Sequence, residues 1–135
     1  MLEQWSRWEP IKNLSSKYVI RGIKNNLDGL EFSFTEAYGK TKKIRIFFKD
    51  GVYAYRMTDE SYWLNQFHNL NEKYGKGFYA DWMFFRITQS EYLASLFPQG
   101  VEGLRPKTVI HYCLISYNFI FDIAASEVPF VECIL

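Results

Sequence analysis

The sequence predicts an α+β domain: one antiparallel β-sheet of about six or seven strands, with two helices packed on one of its faces. Three observations lead there. Short runs of β-branched and aromatic residues recur along the chain, separated by polar turn signals. Those turns are too short to join parallel neighbours, so the pairing is antiparallel. One longer segment abandons period two for a helical stripe.

The chain has 135 residues, which implies a single domain, 1–135, with enough length for a real core. A hydrophobic fraction of 48% and an aromatic fraction of 19% exclude a disordered chain. The formal net charge of +1 provides no basic field, so nucleic acid is not an expected partner. The densest basic run, Lys40, Lys42, Lys43 and Arg45, is short and opens a strand, which reads as a solvated strand end. The first residues lack a basic stretch followed by an apolar one, and no window reaches membrane-spanning length. A cytoplasmic protein with Cys113 and Cys133 reduced is therefore expected.

In chain order, Trp5 to Pro10 reads as an irregular lead-in, since Pro10 disfavours helix at Glu9. Lys17 to Ile23 is the first strand. Asn25, Asn26, Asp28 and Gly29 then turn the chain. Leu30, Phe32 and Phe34 alternate with Glu31 and Ser33, the mark of a half-buried strand. Lys43 to Arg56 reads as the clearest hairpin, with Asp50-Gly51 as its tight turn.

Thr58 or Asp59 can cap the helix that follows. Trp63, Phe67, Leu70 and Tyr74 form its apolar stripe, and Gly75 and Gly77 stop it. Phe78 to Ile87 is apolar almost throughout, and its aromatic second half, from Trp82, reads as a strand. Thr88, Gln89, Ser90 and Glu91 fit a capping box opening a short helix, Glu91 to Phe97. Val101 to Lys107 reads as an exposed loop. Two apolar runs folded about Ser116, Tyr117 and Asn118 make a C-terminal hairpin. Pro129 then breaks the chain before an edge strand, Phe130 to Ile134, on which a second copy could pair to form a homo-oligomer.

Chemistry is sparse. His111 and Cys113 lie two apart, so they share a sheet face, and Asp122 lies on the partner strand. A thiol and imidazole oriented by a carboxylate is a nucleophile arrangement. A strand interior is a poor place for a thiolate, however, so satisfying a buried polar group is the plainer use of this cluster. Two His and two Cys without CxxC or HxxxH spacing do not predict a metal site, and no cofactor motif is present. The aromatics least explained by any period are Trp5, Trp8 and Tyr62. Beside Arg56 they read as binding anchors.

Three sets of residues carry a resemblance: Trp8-Glu9-Pro10; Tyr53 to Arg56 followed by Asp59-Glu60; and His111-Tyr112, then Phe121 to Ile123, then Pro129. In these the chain resembles a family of small uncharacterised proteins from bacilli and related bacteria. The resemblance implies a toxin-neutralising immunity protein or a similar interaction module, and it carries over no catalytic residues. The neutral charge departs from the acidic character an inhibitor of a basic nuclease would have. The expected function is a non-enzymatic protein-interaction module. The alternatives are a small-ligand binder with an aromatic-lined cavity, or an enzyme with a site at His111, Cys113 and Asp122.

Overall fold

The computed structural model describes residues 3–38, 42–97 and 108–134. Among these, nine strands form two antiparallel sheets rather than one. The five-stranded sheet has the order β1-β6-β7-β8-β5, built from Gln4–Arg7, Phe84–Thr88, Ile110–Ile115, Phe119–Ala125 and Val52–Asp59. The four-stranded sheet has the order β2-β3-β4-β9, built from Tyr18–Asn26, Gly29–Glu36, Lys43–Phe48 and Phe130–Ile134. The expected single sheet with two helices is thus corrected to a mostly β fold with three helices.

Side-chain pattern explains the layering. In β3 and β4 the residues Leu30, Phe32, Phe34, Ile44, Ile46 and Phe48 are buried. They pack against Tyr112, Leu114, Phe121 and Ile123 on the inner face of the larger sheet. Phe32 is the hub, with the rings of Phe34, Phe48, Tyr55 and Phe121 around it. The other face of the smaller sheet mixes charged residues with exposed Phe130 and Ile134, and there Arg45 bridges Glu31 on β3 and Glu132 on β9. This ion pairing occupies the one arginine of the basic run.

The larger sheet is covered on both sides, which is why β7 and β8 are apolar at nearly every position. Its outer face carries Trp5, Phe85, Ile87, Cys113, Ile115 and Ile120. Over these lie α1 (Leu64–Tyr74) and α2 (Gly77–Ala80), which contribute Phe67, Leu70, Tyr74 and Phe78. The short α3 (Glu91–Leu96) seals the adjoining part through Tyr92 and Leu93 against Ala124. The predicted stripe on α1 is therefore a packing face.

Three further corrections follow. The lead-in is not irregular: Gln4 to Arg7 pairs with β6, Trp5 opposite Ile87. The Asp50-Gly51 turn does not make a hairpin, because β4 pairs with β3 and β9 while β5 pairs with β8. The turn carries the chain from one sheet to the other. Finally, the cap of α3 is Ser90, whose side chain accepts from Leu93 N–H, and not Thr88. Asp59 caps a 3-10 turn, Glu60–Tyr62, which precedes α1. The loop expected at 101–107 lies outside the described residues.

Lys17 ties the layers together. Its ammonium donates to the carbonyls of Tyr79, Trp82 and Ile115 at 2.7, 3.0 and 2.8 Å. No helix among the described residues is long and apolar enough to cross a membrane.

Candidate functional site

Register positions the site. On the outer face of the larger sheet, β5, β8, β7 and β6 lie side by side. Arg56 is opposite Asp122, Asp122 is opposite Cys113, and His111 is opposite Ile87. Period two alone places His111 and Cys113 on this face, and antiparallel pairing adds Asp122 and Arg56.

The polar groups form one continuous chain. Arg56 Nε donates to Asp122 Oδ2 at 2.9 Å. Asp122 Oδ1 and His111 Nε2 are 2.6 Å apart, and His111 Nδ1 and Ser90 Oγ are 2.7 Å apart. Leu93 N–H donates to the same Ser90 oxygen at 3.0 Å. The acceptor-only carboxylate assigns the hydrogen of the tautomer to Nε2. The Ser90 hydroxyl then donates to Nδ1, and every link has a donor and an acceptor.

Asp122 is 1% exposed. Burial pushes its carboxyl up, but the hydrogen bond from His111 and the Arg56 guanidinium outweigh burial and hold it below the usual carboxylate range. An ionised group at this depth needs such partners. Arg56 is the part of the chain that reaches water, its side chain 50% exposed. It lies over the Tyr92 ring, 4.3 Å from the centroid. That contact and the Nε bond hold the guanidinium in place. Its terminal nitrogens have no protein partner among the described residues.

Cys113 belongs to the same face, where nucleophilic chemistry would need an accessible thiolate. It is fully buried, and burial first, then neighbouring Asp122, raise its thiol well above the ordinary value. The thiolate that such chemistry needs is disfavoured. Cys133 is exposed and sits in the other sheet.

A cleft of about 280 Å³ opens over the Arg56 end of the polar chain. Of the seven residues singled out from the sequence, Trp5, Arg56, Tyr62, His111 and Asp122 line it. Trp8 does not: it is buried between the sheets against Tyr112 and Phe84. Trp5 lies at the cleft floor, 7% exposed and packed on Trp63 and Phe85, so neither tryptophan is an exposed anchor. Tyr62 is exposed, at 84%. Along α1 the cleft adjoins a second hollow, also of about 280 Å³, that shares Glu3, Trp5, Gln66 and Asn69. Among the described residues, no three of His, Cys, Asp and Glu gather as a metal site.

Sequence reasoning missed Ser90 and Tyr92. Ser90 was legible only as part of a helix start. Its distance of 21 positions from His111 follows no period. Comparison with protein-family models, curated proteins and solved structures finds no match to this chain.

Proposed function

We propose that the protein is a protein-interaction module that takes a partner's loop or peptide segment into the cleft along α1. The observation that carries this reading is the half-exposed Arg56, fixed through Nε and the Tyr92 ring, with its terminal nitrogens unpartnered among the described residues, beside exposed Tyr62. Arginine and tyrosine are the residues that dominate protein interfaces. A guanidinium already held in place loses little side-chain freedom on binding.

The cleft's roughly 280 Å³ falls just below the lower end of ligand pockets, about 300 Å³. The two hollows together form an elongated groove with amide side chains, Asn65, Gln66 and Asn69, along one wall. Those amides suit hydrogen bonding to an extended backbone. Glu3 and Glu91 stand opposite Arg56's charge, so the groove has no single sign, in keeping with the near-neutral chain. A toxin-neutralising role is one form this reading can take.

Photo-crosslinking tests it. A benzoylphenylalanine at position 62 in the full chain is expected to capture one stoichiometric partner from the native lysate. The same group at position 38, also exposed and just beyond β3 of the other sheet, captures none. With that partner purified, Tyr62→Ala should weaken binding by roughly tenfold or more. Equal capture from both positions, or unchanged affinity in the Tyr62→Ala chain, would overturn the reading.

A further inference from the structure

The polar chain has a second end, and it opens on a different hollow. Ser90 lines a pocket of about 420 Å³, with Leu93, Val109 and Ile110 as its apolar wall and Arg86 and Gln89 at its polar side. This volume lies within the range of small-molecule sites, unlike the cleft at the Arg56 end. We infer that Ser90, His111 and Asp122 act as nucleophile, general base and orienting carboxylate toward an ester of a small acyl group bound in this pocket.

Geometry carries the inference. The serine oxygen and the two His111 nitrogens line up with Asp122 through contacts of 2.7 and 2.6 Å, within the reach a base and its orienting group require. The hydrogen-bond direction is the productive one. Asp122 holds the hydrogen on Nε2, leaving Nδ1 to accept the serine proton. The Arg56 ion pair keeps Asp122 ionised, which is the state that stabilises the imidazolium formed on proton transfer. Leu93 N–H occupies one acceptor position of Ser90 Oγ and leaves the other lone pair for attack.

The backbone supports the placement. Ser90 stands at a strand-to-helix corner between β6 and α3, reached through Gln89 in a left-handed conformation, φ 53°. A non-glycine residue held there is strained, and such strain gathers at functional corners. Ser90 is 5% exposed and lines this pocket, the side from which a substrate would approach it.

The step balances as follows. Ser90 Oγ bonds to the ester carbonyl carbon while its proton passes to His111 Nδ1. The tetrahedral adduct expels the alcohol, which leaves with that proton, and the acyl group stays on Ser90. Water then adds to the acyl carbon with the same proton exchange through His111. The carboxylic acid departs and the serine hydroxyl is restored. Leu93, Val109 and Ile110 would hold the acyl chain. The activity goes beyond the binding reading and does not depend on it.

A fluorophosphonate probe on the native full chain tests the inference, read by intact mass and peptide mapping. The expected result is one adduct, on Ser90, with hydrolysis of p-nitrophenyl butyrate blocked in the labelled protein. His111→Gln should slow labelling roughly 100-fold or more. Ser90→Asn, which retains a helix-capping side chain, should abolish it. A folded wild-type chain that takes no label, labels elsewhere, or labels as fast after His111→Gln overturns the proposal.

Discussion

Asp122 concentrates more consequence than any other single residue. It accepts from Arg56 and His111 and is closed off from solvent. Asp122→Ala would leave the His111 Nε2 hydrogen buried without an acceptor, while half-exposed Arg56 could turn to water. The expected loss is roughly 2–4 kcal/mol, below the full cost of breaking a wholly buried pair for that reason. Urea unfolding measures it, and a loss under 1 kcal/mol would mean the chain of bonds is not holding the sheet face. The cysteines make a second prediction. Cys133 should react with a disulfide reagent in the folded protein, and Cys113 only after unfolding, because it is buried with a raised thiol. Two reactive thiols in the native state would contradict the packing. Alternation made the shared face of His111 and Cys113 readable in advance, and pairing brought Asp122 across from them. Ser90 was not readable, because it joins them through a corner whose direction no local pattern sets. Trp5 and Trp8 were misread for the opposite reason: lacking a period, they looked unassigned, whereas burial is the default for such side chains.

At the scale of elements, the Asp50-Gly51 turn is the instructive case. Such a dipeptide says that the chain reverses, but not that the two flanking strands pair. Here β4 and β5 enter different sheets. Gly51 makes the crossing with φ 75°, and a Cβ placed on it would stand 2.2 Å from Ser126 Oγ. Gly51→Ala should therefore cost roughly 2 kcal/mol or more, from left-handed strain plus displacement of Ser126. A neutral result in thermal unfolding would argue that the crossing tolerates another path. Lys17 makes a pH-dependent prediction for the strap between β2 and the larger sheet. Burial lowers its pKa from 10.5 to about 8. Below about pH 8 both folded and unfolded chains hold the proton, and the folded state bears the whole cost of the buried charge. Between there and 10.5 the unfolded chain binds more protons, so stability rises with pH. The rise attributable to Lys17 is on the order of 3 kcal/mol. It appears as a difference between wild type and Lys17→Met in urea unfolding from pH 8 upward, where the other titrating groups cancel. If the two chains followed the same pH curve, the strap would not be sensing the proton.

At the scale of the molecule, the larger sheet is shared by two cores, and this arrangement sets how the protein should unfold. Strand patterns revealed which residues face inward, but they carried no information on how many sheets those faces belong to. The alternating strands β3 and β4 and the doubly apolar strands β7 and β8 are half-covered and fully covered members of one stack. Trp8 reports on the core between the sheets, with Tyr112 4.9 Å away, and Trp5 reports on the core under the helices, with Phe85 5.7 Å away. Neither core can persist once the larger sheet is lost, because each uses one of its faces. Lys17, just before β2, adds direct bonds to Tyr79 in α2 and to Trp82 beyond it. The expected behaviour is one cooperative transition. In chains retaining only Trp5 or only Trp8, with the other tryptophans replaced by Phe, fluorescence and far-ultraviolet circular dichroism should share a midpoint within each variant. Should Trp5 fluorescence change at lower urea than the circular dichroism, the helical layer would be a separate unit that opens first, exposing the cleft and both ends of the polar chain.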